Sequence, residues 1–147
     1  MIDLRSDTIT KPCSNMLQAM FKANVGDDVY GEDPTVKELE KKVCDFFGTE
    51  MSMFFPSGTM ANQTAIKLHT SPGNQVITHK YSHVFNYEGG GASFNSGVSF
   101  KLLDGPKGIF EINDMINAIN PKSFYHAPLS KLVVLENTTN KGGGACW

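Results

Sequence analysis

Arginine is nearly missing from these 147 residues. Arg5 is the sole guanidinium among 13 basic side chains, so the chain has little with which to grip a carboxylate bidentately. Neither sign of charge is in excess: the net charge is -2 and the pI is near 6.0, with lysines scattered along the chain instead of lining one stretch. That excludes the basic footprint of a nucleic-acid binder. Cysteine is scarce and odd in number, and Cys13, Cys44 and Cys146 have no C-x-x-C spacing, which argues against a disulfide framework or a zinc ribbon. A reduced, cytoplasmic protein is expected. No apolar run approaches the roughly 18 residues of a membrane span. The opening MIDLRSDTIT carries acidic residues and no long apolar core, so it does not read as a signal peptide. Repeats and low-complexity linkers are also lacking.

What is present suits one soluble domain with enough apolar chain for a core, being 40% hydrophobic and 19% charged. DPTVKELEKKVCDFFG reads as a helix, with Asp33 as N-cap, Pro34 at the first helical position, apolar residues at helical spacing and Gly48 as the stop. MSMFF follows as a predicted strand, then GTMANQTAIKLH as a helix, SPGN as a turn and QVITH as a strand. A glycine-rich segment leads to VSFKLL as a strand, INDMINAIN as a helix ended by Pro121, and KLVVLEN as a strand. Short apolar strands alternating with helices predict an α/β fold with a mostly parallel sheet and helices on both faces. Ligands in such folds sit beyond the carboxyl ends of the strands.

That rule selects three stretches. In FFPSGTMANQ the start of a helix offers amides without intrahelical partners, aided by the helix dipole, so Ser57, Gly58 and Thr59 form a candidate phosphate site. Ser57 as a plain N-cap is an equally open reading. In THKYSHVFNYEGGG, His79 and His83 stand four apart with Glu88 beyond. A third ligand at a familiar spacing is lacking, so no metal is expected; an imidazole beside a phosphate site suits stacking on a heteroaromatic ring or moving a proton near neutral pH. In LVVLENTTNKGGG, Glu136, Asn137 and Asn140 end a strand and point to the same crevice, with satisfaction of loop backbone as the alternative.

Taken together, MIDLRSDTITKP, VGDDVYGEDPTV, FFPSGTMANQ, SHVFNYEGGG and LENTTN resemble the low-specificity L-threonine aldolases over essentially the whole chain. These are pyridoxal phosphate (PLP) enzymes of fold type I, the aspartate aminotransferase-like fold, which cleave threonine or allo-threonine to glycine and acetaldehyde. The resemblance implies PLP as cofactor, a β-hydroxy amino acid as substrate, and a homodimer or homotetramer with sites at subunit interfaces. It also implies that Ser57, Gly58 and Thr59 cup the phosphate and that His83 stacks on the pyridine ring. Ser6 is implied near the substrate carboxylate and His126 near its β-hydroxyl, so that His83 and His126 are the two candidate bases. Tyr30 and Glu88 are implied as lining residues.

Two departures bear on the expectation. The family's cofactor-holding lysine lies in a Ser-Lys-Gly context, preceded by an Asp-Gly-Ala-Arg segment, and neither pattern occurs in these residues. Residues 1–147 are therefore expected to be an N-terminal segment plus the first part of the PLP-binding large domain, inactive alone. Thr139 stands where the family usually has histidine. Another PLP lyase of the same fold and a non-catalytic phosphate-binding α/β module are the alternative readings.

Overall fold

The computed structural model describes residues 2, 3 and 5–147, which form two compact units, one up to Phe54 and one from Phe55 to Trp147. The first unit contains helices α1 (Ser14–Lys22) and α2 (Pro34–Phe47). Helix α1 has no counterpart in the sequence reading: its N-cap is Cys13, which makes no side-chain capping bond, so the usual start signal is missing. Helix α2 has the expected bounds. Asp33 Oδ1 accepts the Thr35 and Val36 amides, each at 2.9 Å, and Gly48 closes the helix in the left-handed conformation at φ 67°. The apolar stripe of α2 is not covered within this unit, where Phe46 remains 82% exposed.

Asp33 also accepts the Gly26 amide through Oδ2 at 3.1 Å, and a side chain at Gly26 would meet the Glu32 carbonyl oxygen at 2.4 Å. One carboxylate thus fixes both the helix start and the turn before it. The Val36 amide, then that of Gly26, hold the Asp33 carboxyl below its ordinary value. A depressed folded-state pKa means stability that is present above the unfolded value of about 4 and lost as pH falls through the folded one. Asp33→Ala is therefore expected to lower the thermal midpoint of this unit at pH 7, and to lower it less as the pH falls and the wild-type carboxylate takes up its proton. Thermal scans read by circular dichroism as the pH is lowered check it; an equal loss at every pH contradicts it.

The predicted strand MSMFF is not one. A strand needs a lateral partner for its backbone, and here Ser52 Oγ donates to the Glu40 carbonyl at 2.8 Å while the Phe54 amide donates to Glu40 Oε1 at 2.9 Å. In place of a sheet neighbour, α2 takes up polar groups of this segment.

The second unit carries α3 (Gly58–His69), β1 (Gln75–His79), α4 (His83–Asn86), α5 (Gly91–Ser96), β2 (Ser99–Leu103), α6 (Ile112–Ala118) and β3 (Ser130–Val134). Its three strands are parallel in the order β2-β1-β3, with Val76 opposite Phe100 and Leu132. Strand β1 is buried throughout and alternates between two cores. Val76 packs with Ile66, Val84, Ala92 and Val98 from α3, α4 and the α5 region, whereas Ile77 packs with Leu103, Phe110 and Ala118 under α6. Helices cover both faces, as the continuous apolar strands predict. The chain leaves β1 toward β2 on one side and then crosses back to β3 on the other, so the carboxyl ends of β1 and β3 flank a topological switch point.

Candidate functional site

The short SPGN turn joins α3 to β1, so α3 runs back along the sheet and its N-terminus lies at the carboxyl edge of β1. Ser57 is the N-cap: its hydroxyl accepts the Met60 amide at 3.1 Å and its carbonyl accepts the Ala61 amide. The hydroxyl keeps a proton to donate, so capping and anion binding are compatible at this residue. Gly58 and Thr59 follow in the first turn, where helix geometry offers their amides no acceptor. A Cβ built on Gly58 has no atom within 4 Å. The turn is open to an incoming group, and these donors fit the phosphate of PLP.

His83 begins α4, four residues past the end of β1. Its backbone amide donates to Glu136 Oε2, and Glu136 Oε1 accepts the Asn140 amide at 2.6 Å, so this carboxylate ties the ends of β1 and β3 together. Glu136 and Asn140 thus serve the loop backbone, and Asn137 does likewise by accepting the Trp147 amide at 3.2 Å. The imidazole of His83 faces another carboxylate. Its Nδ1 is 3.0 Å from Glu88 Oε1, which also accepts from Asn62 Nδ2 at 2.8 Å, while Glu88 Oε2 accepts from Gln63 Nε2 at 2.6 Å. The Glu88 side chain is fully enclosed, whereas that of His83 is 43% exposed. Glu88 therefore does not line an open surface; it is the buried hub linking the second turn of α3 to His83.

The glycines after Glu88 have a local reason. Gly89 and Gly90 turn the chain at positive φ, 63° and 70°, and a Cβ on Gly91 would meet the Gln63 side chain at 2.8 Å. They let the loop fold tightly enough for Glu88 to reach α3. Asn62 and Gln63 are the site residues that the sequence reading missed. A buried glutamine on an otherwise apolar helix face was the available signal.

His79 is accounted for by its own loop. Its Nδ1 accepts the Tyr81 amide at 3.0 Å, which leaves Nε2–H to donate to the Gly105 carbonyl at 3.2 Å. Among the described residues no group of three His, Cys, Asp or Glu side chains is arranged to hold a metal. Thr139 is buried, donating to the Lys107 carbonyl at 2.8 Å, and a Cβ on Gly108 would already touch its side chain at 3.0 Å.

His126 stands apart from His83. It lies four residues before β3, at the amino end of a strand whose carboxyl end leads to Glu136, and its ring packs on Phe124 and Tyr125. Ser6 and Tyr30 belong to the first unit. Ser6 Oγ lies 2.8 Å from Thr8 Oγ1, and Tyr30 ends a 3-10 turn with its side chain exposed. Arg5 is paired with Asp3 at 2.6 Å.

Comparison with known proteins agrees with the motifs. A probable low-specificity L-threonine aldolase 2 of Arabidopsis thaliana is 44% identical over 148 residues, which is 99% of this chain and 42% of that protein. A low specificity L-threonine aldolase of Escherichia coli K12 is 40% identical over 141 residues, covering 95% of this chain and 42% of its own length. The chain thus spans about two fifths of the curated relatives it matches. The structure of a Leishmania major threonine aldolase superimposes with a TM-score of 0.70 over 85% of this chain and 36% of that one, at 23% identity, which establishes the shared fold. The parallel sheet, the phosphate-type corner at Gly58 and the histidine after β1 accord with the match of residues 3–147 to the beta-eliminating lyase model, and the chain belongs to that family.

Proposed function

We propose that the protein carrying this chain is a PLP-dependent carbon–carbon lyase that cleaves L-threonine and L-allo-threonine to glycine and acetaldehyde. The observation that carries this reading is the His83–Glu88–Asn62/Gln63 network at the same sheet edge as the Ser57–Thr59 turn. PLP, when bound, supplies an electron sink for the pair left when the Cα–Cβ bond breaks. The Gly58 and Thr59 amides and the Ser57 and Thr59 hydroxyls would hold its phosphate. His83 would face the ring and would offer Nε2 to the proton of the β-hydroxyl, and His126 is the second candidate for that proton. Ser6 and Tyr30 are assigned to the substrate side of the site on the resemblance alone.

The 147 residues hold no Ser-Lys-Gly segment, so this stretch alone is proposed to bind the phosphate without turning over. A cytoplasmic homo-oligomer completes the proposal. Three free cysteines fit a reducing compartment, and among the described residues no helix is long and apolar enough to cross a membrane. The test is product analysis of the PLP-loaded protein with threonine, allo-threonine and tryptophan. Acetaldehyde from the first two is expected. Indole from tryptophan without acetaldehyde would replace the aldolase reading by β-elimination.

A further inference from the structure

The geometry points to Glu88 as the positioning residue for His83, holding the ring with Nδ1–H turned inward and the Nε2 lone pair turned outward; the catalytic use of that lone pair rests on the aldolase reading. Both oxygens of Glu88 accept amide protons, from Asn62 and Gln63, and a carboxylate has only acceptor capacity left for the third partner, His83 Nδ1. That nitrogen must then donate. Among the described residues nothing else of opposite character competes for the ring: Glu136 engages the His83 backbone amide, α3 presents two neutral amides, and Lys141 Nζ lies over the Tyr87 ring at 5.1 Å. Tyr87 itself is 5.5 Å from the imidazole, centroid to centroid.

The consequence is a defined tautomer. When Nε2 takes a hydroxyl proton, the imidazolium keeps Nδ1–H on Glu88 and the enclosed carboxylate balances its charge; the proton later leaves from Nε2 and the starting tautomer returns. A glutamate that only clamps α3 to the loop predicts no such bias.

Nitrogen-15 spectra of the His83 ring in the 147-residue chain, recorded where the ring is neutral, separate the two. The wild-type ring is expected to carry its proton on Nδ1, and Glu88→Ala is expected to move it to Nε2. Glu88→Gln is expected to retain the Nδ1–H form, because its amide oxygen replaces Oε1 and Gln63, whose own Oε1 is buried without a partner, can turn to meet the new NH2. Should the alanine variant not fold, the wild-type and glutamine spectra still decide. A wild-type ring protonated on Nε2, or a tautomer unchanged in Glu88→Ala, overturns the assignment. In the PLP-loaded protein, Glu88→Ala is expected to lower threonine turnover by roughly 10- to 100-fold, the usual cost of losing an orienting partner. If the tautomer shifts as expected but wild-type protein yields no acetaldehyde, the aldolase reading fails and the positioning stands.

Discussion

His83→Ala lowers threonine turnover by roughly 10²- to 10⁴-fold, the range for a lost general acid–base group, with the fold retained. Retention is expected because the removed ring is partly exposed and its backbone amide, which bonds Glu136, survives the substitution. Glu88 keeps two of its three donors, Asn62 and Gln63, so the buried carboxylate is not abandoned. The measurement is kcat at full cofactor occupancy, with occupancy read from the cofactor's absorbance and folding from circular dichroism. Near-normal turnover at full occupancy would remove His83 from the proton-transfer step and leave His126 as the base. His126 precedes the amino end of β3, whereas the His83 amide is bonded to Glu136 beyond its carboxyl end, so the two histidines lie toward different ends of that strand. That makes the pair of single variants informative: a strong effect at both would require that His126 act from another copy or through another segment.

Much of the fold was legible because local signals agreed with one another. Asp33, Pro34 and Gly48 bracket α2, and Ser57 starts α3, with capping residues at those positions. QVITH and VSFKLL were recognisable as strands because each is a short run with apolar residues between turn signals, although only β1 is buried along its length. What failed was whatever depended on lateral partners. MSMFF has strand composition, yet its backbone bonds to Glu40, and no local pattern records that choice. KLVVLEN was read long: β3 ends at Val134, because Glu136 is drawn off to the His83 and Asn140 amides. Helix α1 lacked a capping side chain and was missed for that reason.

The site divides the same way. His83, Gly58 and Thr59 stood out because chemistry and position after a strand or before a helix are both written in the sequence. Glu88 was noticed, but as a lining residue. Its true place depends on three donors, two of which lie 25 and 26 residues earlier on another helix. Only the folded arrangement joins them. Thr139 departs from the family's usual histidine, and its close packing with Gly108 and Gly142 is visible only in the folded arrangement.

The second large effect concerns the helix start itself. A Cβ at Gly58 would have nothing within 4 Å among the described residues outside its own helix turn, so Gly58→Val should leave the melting temperature nearly unchanged. A phosphate drawn against the first-turn amides would, by contrast, collide with the new methyl groups. Losing one or two hydrogen bonds to a charged group costs about 1.5–3 kcal/mol each, which is roughly 10- to 100-fold in affinity per bond.

The account is tested most directly by titrating the 147-residue chain and its Gly58→Val variant with pyridoxine 5′-phosphate, which has the cofactor's ring and phosphate but no aldehyde to react with lysines. Saturable one-site binding by the wild type, weakened at least tenfold in a variant that melts at the same temperature, is the predicted result. Equal affinity in the two proteins, or no binding by a folded wild-type chain, would contradict the assignment of this helix start as the cofactor's phosphate site.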